Sequence, residues 1–128
     1  MNPEQLLYAE THEWAHVGDE DVVTIGISAF ALEQLTDLVF MELPAVGDAA
    51  SAGEAFGEVE SVKAVSPLYS PVSGDIVEVN SDIADNLEQL GEDPYNAGWI
   101  LKVKMSDKAE LDKLMDHAAY QKQCAEEG

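Results

Sequence analysis

The chain has 128 residues, 46% of them hydrophobic, and a formal net charge of −20 from 26 acidic and 6 basic side chains. This length fits one domain that buries about two thirds of its unfolded surface, and the apolar content argues against a disordered polyelectrolyte. Such a charge repels phosphate backbones and anionic lipid, so no nucleic acid and no membrane is expected as a partner; it suits docking to proteins with basic clefts and equally suits solubility or adaptation to salt.

In chain order, MNPEQLLYAE shows no basic segment followed by an apolar one and no Arg-rich character, so it does not read as a targeting peptide. HEWAHV (12–17) and VVTIGI (22–27) flank the polar turn GDED and predict a hairpin. Ser28 is placed to cap a short helix through AFALEQL, with Phe30, Leu32 and Leu35 on its apolar side. LVFMELP (38–44) reads as a strand ended by Pro44. The segments AVGDAASAGEAFGEVES and SPVSGDIVEVN each carry a Val-(Xaa)-Gly-Asp turn feeding an alternating strand. This faint duplication predicts two similar halves related by an approximate twofold. GWILKVKM (98–105) alternates as a half-buried strand. Ser106 is a plausible N-cap for a helix DKAELDKLMD, with Asp107 in its first turn, and HAAYQKQCAEE predicts a second terminal helix. Cys124, the single cysteine, fits a reducing compartment and reads as incidental. No apolar stretch approaches the roughly 20 residues of a membrane span, and His16 and His117 lack metal-ligand spacing. The class is mainly β with small helices at the edge and the C-terminus.

Lys63 is the one Lys or Arg before residue 102, and it lies between FGEVES and AVSPLYSPV. A residue between two strands of this length sits at or beside a hairpin tip. A lone surface lysine near Glu58 and Glu60 is also what weak, screened attraction produces, at well under about 1 kcal/mol. Without burial or a cationic neighbour the amine is a poor Schiff-base catalyst. Held out on a tight turn, it is well placed to be acylated by another enzyme.

FGEVESVKAVSPLYSPVSGDIVEVN resembles the lipoyl-lysine segment of the glycine cleavage system H protein family. THEW (11–14), TIGIS (24–28), FMELP (40–44), DPYNAGW (93–99) and ILKVK (100–104) match the same family in the same order, so the resemblance runs from about Leu7 to Tyr120. Lipoyl domains of 2-oxoacid dehydrogenases usually carry Asp-Lys-Ala at the arm, and biotin carriers flank their lysine with methionines. Here Glu60, Ser61 and Val62 precede Lys63 and Ala64 follows it.

The resemblance implies a barrel-sandwich hybrid of two facing antiparallel sheets. It implies one carrier domain over residues 1–128, with a core of about 7–105 and C-terminal helices over about 107–126. It implies lipoate in amide linkage to Lys63, with Glu60, Ser61, Val62 and Ala64 as the recognition motif. The implied partners are glycine decarboxylase, aminomethyltransferase, dihydrolipoyl dehydrogenase and the lipoate-attaching enzymes, and a cytoplasmic monomer without turnover of its own is expected. A mitochondrial matrix form would be a trimmed one.

In the family the loaded arm folds into a cleft whose polar groups include the Ser/Thr and Glu of the [ST]HEW motif, which are Thr11 and Glu13 here. Alternation alone makes Glu13 an exposed acid, and His12 of the same motif is expected to be structural. Many members place an acid three residues after the motif alanine; this chain has Pro67. A scaffold relaying lipoyl or octanoyl groups to other enzymes would use the same lysine. An acidic binding module with an unmodified lysine is a further reading. An acidic acyl carrier is not, since the chain lacks an Asp-Ser-Leu attachment site and is not mainly helical.

Overall fold

Alternating apolar residues set most of the strands, and their buried faces meet between two sheets. The computed structural model describes residues 3–35, 37–96 and 98–127; Ala97 of the DPYNAGW motif lies outside them. A 3-10 turn at Pro3–Gln5 leads into β1 (Leu7–Tyr8), β2 (Glu13–Val17) and β3 (Val22–Ile27). Then come α1 (Ala29–Leu35), β4 (Leu38–Glu42), β5 (Ala49–Ala50), β6 (Ala55–Ser61), β7 (Val65–Tyr69) and β8 (Gly74–Val79). After these follow α2 (Ser81–Asp85), α3 (Leu87–Glu92), β9 (Leu101–Met105), a 3-10 turn at Lys108–Lys113, and α4 (His117–Glu127).

The larger sheet has the order β1-β2-β3-β9-β8-β5 and the smaller one β4-β6-β7, with antiparallel pairing throughout these strands. Val23, Ile25, Ile76 and Val103 of the large sheet share one core with Met41, Val59 and Leu68 of the small sheet. Burying each such side chain contributes roughly 1.5–3 kcal/mol. The mainly β, two-sheet barrel-sandwich architecture expected from the sequence is what the chain forms.

The two Gly-Asp turns lie side by side. Ala49 pairs with Asp75 and Ala50 with Gly74. The Gly47 amide donates to Ile76 O at 2.9 Å, and the Ile76 amide donates to Asp48 O at 2.9 Å. An antiparallel pairing of the two motifs is what a local twofold requires. Gly74 is obligatory there, because a Cβ would stand 1.9 Å from the carbonyl oxygen of Lys104.

Ser28 caps α1 as expected: its hydroxyl accepts from the Ala31 amide at 3.3 Å. The segment after β9 departs from expectation. Residues 108–113 form a 3-10 turn, and Asp107, not Ser106, caps it by accepting from the Ala109 amide at 2.9 Å. Ser106 donates instead to Ser73 O. The Glu110 carboxylate is drawn to the Ser73 amide at 2.7 Å and its hydroxyl at 2.8 Å, while Met115 pairs with Tyr8. Together these contacts bend the segment away from a regular α-helix. β1, β5, α2 and α3 were not foreseen; runs of two to six residues carry too little periodicity to register.

A second cluster, Leu6, Tyr8, Trp14, Tyr120 and Cys124, fastens α4 to β1 and β2. Cys124 therefore has a packing role.

Candidate functional site

The hairpin between β6 and β7 closes with Glu60 opposite Val65. Beyond that pair the Ser61 amide donates to Ala64 O at 2.8 Å. The Ser61 side chain is 6% exposed and works inside the turn. Its oxygen accepts from the Lys63 and Ala64 amides, each at 3.2 Å, and its hydroxyl donates to Ala64 O at 3.2 Å. The Val62 amide donates to Asp37 O at 3.0 Å, which ties the tip to the start of β4. Lys63 is thus exposed on a turn whose backbone is fixed from within. Glu60 stands between Phe40 and Val65 on one row of the small sheet, and Phe40, Val62 and Val65 are each more than half exposed. The four neighbours of Lys63 divide by role: Ser61 shapes the turn, while Glu60, Val62 and Ala64 face solvent around the amine.

Glu13 is the correction. It is 2% exposed, not a surface acid. Its Oε2 accepts from the amide of Tyr69 on the edge strand β7 at 3.3 Å, and its Oε1 accepts from the Thr11 hydroxyl. The carboxylate bridges the two sheets by serving an amide at the edge of the smaller one. Burial pushes its pKa up from 4.5 to about 7, against the opposing pull of the hydrogen bonds from Thr11 and Tyr69. At neutral pH such a carboxyl is poised to ionise when a cation arrives.

Two surface grooves meet at Thr11. One, of about 330 Å³, is lined by Thr11, His12, Phe30, Gln34, Leu35 and Ser66. The other, of about 340 Å³, is lined by Ala9, Thr11, Tyr69, Pro71, Lys113 and Leu114. Ser66 lies three residues beyond Lys63, so the first groove starts near the hairpin. Wider grooves of about 450 and 660 Å³ run along α3 and β4, where Asp85, Glu88 and Glu92 make the walls acidic; these carry no nucleophile and stand apart from Thr11. Pro67 lines neither groove at Thr11; it sits exposed opposite Glu58 on β6. His12 packs structurally, its Nδ1 2.8 Å from the Tyr120 hydroxyl and its ring 5.2 Å from that of Phe30, but it lines the groove at Thr11 and does not face away from it. Phe30, Leu35 and Ser66 were not singled out as cleft residues from the sequence, although the apolar side of α1 was the available signal for the first two.

Two facing antiparallel sheets with a lysine raised on the hairpin of the smaller one define a barrel-sandwich hybrid of the lipoyl-carrier type. The chain belongs to the glycine cleavage H-protein family, whose model matches residues 6–127. It is 61% identical to a glycine cleavage system H protein of Rhodopirellula baltica, over 99% of this chain and 98% of that one. Identity to the corresponding protein of Acaryochloris marina is 53%, over 93% of this chain and 92% of the relative. The crystal structure of a glycine cleavage system H protein from Mycobacterium marinum superposes with a TM-score of 0.88 at 40% identity, covering 97% of this chain and 99% of that one. No helix among the described residues is long and apolar enough to cross a membrane.

Proposed function

We propose that this protein is a lipoyl carrier of the glycine cleavage system, with lipoate in amide linkage to Lys63. The observation that carries the reading is the Ser61-braced turn, which holds an exposed amine clear of the sheet within the family's Glu-Ser-Val-Lys-Ala sequence. The residues suit such a group: Lys63 supplies the amine, and Glu60, Val62 and Ala64 form the surface that an attaching enzyme reads. When attached, lipoate supplies a strained disulfide that opens to accept an aminomethyl group.

The protein's own residues position and protect. The five residues from Val65 to Tyr69 span about 13 Å of strand between the tip and the Glu13 carboxylate. Glu13 and Thr11 offer an acid and a hydroxyl to the ammonium of a loaded arm, and the groove walled by Phe30 and Leu35 keeps water from it. Tethering delivers one intermediate at high effective concentration to successive active sites. Those sites belong to the pyridoxal-phosphate glycine decarboxylase, the tetrahydrofolate-dependent aminomethyltransferase and the flavin dihydrolipoyl dehydrogenase. The carrier has no turnover of its own. We place it in the cytoplasm as a monomer, the whole of residues 1–128 acting as one carrier domain. The net charge of −20 favours docking to basic surfaces on its partners.

Intact mass after expression with lipoate and an attaching enzyme tests the reading. One lipoyl addition that disappears in Lys63→Arg is expected. A mass addition that survives in that variant would end the assignment.

A further inference from the structure

We infer that Tyr120 and Gln123 of α4 are positioning residues that hold the Thr11–Glu13 pair in its sheltering geometry. The inference deepens the carrier reading and rests on it.

Thr11 lies within a turn in which the His12 amide donates to Ala9 O at 3.0 Å. The turn ends on His12 at φ 78°, a left-handed conformation that a side chain with a Cβ adopts at a steric cost. Such a conformation persists where its surroundings over-determine it. Here the Ser28 amide holds His12 O at 2.9 Å, and α4 supplies the rest from both sides of Thr11. Before it, Gln123 Nε2 donates to Glu10 O at 2.9 Å. After it, the Tyr120 hydroxyl meets His12 Nδ1 at 2.8 Å. Residues 120 and 123 are three apart on one helix face, so a single helix grips both ends of the turn.

Tyr120 is itself rigid. It is 1% exposed, stacks on Tyr8 at 4.3 Å and 3°, and meets Ser28 Oγ at 2.5 Å. Burial pushes its phenol well above the ordinary value, so the proton stays on the oxygen. One ordering satisfies every group: the Ala31 amide donates to Ser28, Ser28 donates to Tyr120, and Tyr120 donates to His12 Nδ1. Neither Tyr120 nor Gln123 lines a groove at Thr11. They act through the turn: freeing His12 lets the backbone leave the left-handed region and carries the Thr11 hydroxyl away from Glu13.

Two measurements on the full chain test this. In the unmodified protein, the Glu13 carboxyl is titrated by carbon-13 NMR. Its midpoint near 7 should rise by roughly half a unit in Tyr120→Phe, as the bond from Thr11 that lowers it is lost, and by less in Gln123→Ala. In the loaded protein without aminomethyltransferase, the N–C–S carbon expels its thiolate as an iminium, and water converts that to formaldehyde and ammonium. Ammonium release should rise roughly fivefold in Tyr120→Phe and roughly twofold in Gln123→Ala. Leu6→Ala, in the same buried cluster, should lower the melting temperature while leaving both readouts unchanged. In a Glu13→Gln background Tyr120→Phe should add no further acceleration. A midpoint unmoved in both α4 variants, or moved equally by Leu6→Ala, overturns the inference. If the midpoint shifts as expected but Glu13→Gln leaves ammonium release unchanged, the positioning stands and the sheltering role of the pair falls.

Discussion

The lysine hairpin and the turn carrying Thr11 are built in opposite ways. The hairpin is closed by its own neighbours: every bond of the Ser61 hydroxyl ends within three residues of it. The Thr11–Glu13 turn has local bonds too, but its side chains are held by distant partners: Glu13 reaches Tyr69, His12 reaches Tyr120 and Glu10 O is held by Gln123. Apart from the Val62–Asp37 bond, the tip needs nothing beyond its own strands to present its side chain. A turn closed from afar reports on the packing of the whole. An acceptor that other enzymes must reach suits the first design, and a shelter suits the second.

The largest expected effect separates the two regions outright. Lys63→Arg keeps a cation but cannot form the lysine amide, so modification and glycine cleavage activity should both vanish while Glu13 still titrates near 7. Intact mass, a coupled glycine cleavage assay and NMR check this, and loss of the Glu13 titration would show that the regions are not independent.

Next comes the pH dependence of stability. Glu13 loses its proton near 4.5 in the unfolded chain and near 7 in the folded one. Between these values the unfolded state binds fewer protons, so stability should fall as pH rises through the window, by on the order of 3 kcal/mol in total. That cost is absent below 4.5 and fully present above 7. Urea unfolding of the unmodified protein across this range measures it. Glu13→Gln should flatten the slope and speed ammonium loss from the loaded protein, yet leave lipoylation of Lys63 unchanged. A slope that survives in Glu13→Gln would place the titration elsewhere.

Ser61→Ala probes the local design. Removing the hydroxyl strips the Lys63 and Ala64 amides of a partner, at about 1–2 kcal/mol. Lipoylation should slow several-fold, with faster amide exchange confined to residues 61–64. Unchanged lipoylation kinetics would mean that the turn does not need its brace. The smallest effect is electrostatic. Partner binding should weaken as salt rises, because screening shortens the reach of charge to about 8 Å near physiological ionic strength; an affinity indifferent to salt assigns the acidity to solubility.

This contrast also explains what could be read in advance. The hairpin lay open in EVESVKAVSP, because its strands alternate and its turn is contiguous. The strands at 22–27 and 56–61 and the cap at Ser28 were legible for the same reason. Glu13 was not. Its burial depends on a Tyr69 amide 56 residues away, and period-two alternation carries no trace of that. The helix expected from Ser106 failed similarly, since Glu110 is claimed by Ser73, 37 residues back along the chain. Position 67 shows the limit of motif transfer: an acid is common there in the family, but here the residue faces out opposite Glu58, so Pro67→Asp should not slow ammonium loss.

The pairing of Tyr8 with Met115, 2.7 Å in both directions, gives the molecule a history as well as a shape. Tyr8 waits for a residue 107 positions further along the chain. Contacts so far apart in sequence close late, whereas a hairpin of adjacent strands forms early. Refolding followed by pulsed amide exchange should therefore protect Ser61 and Ala64 before Tyr8 and His12. A newly made chain would then display its acceptor lysine before it can shelter what that lysine will carry.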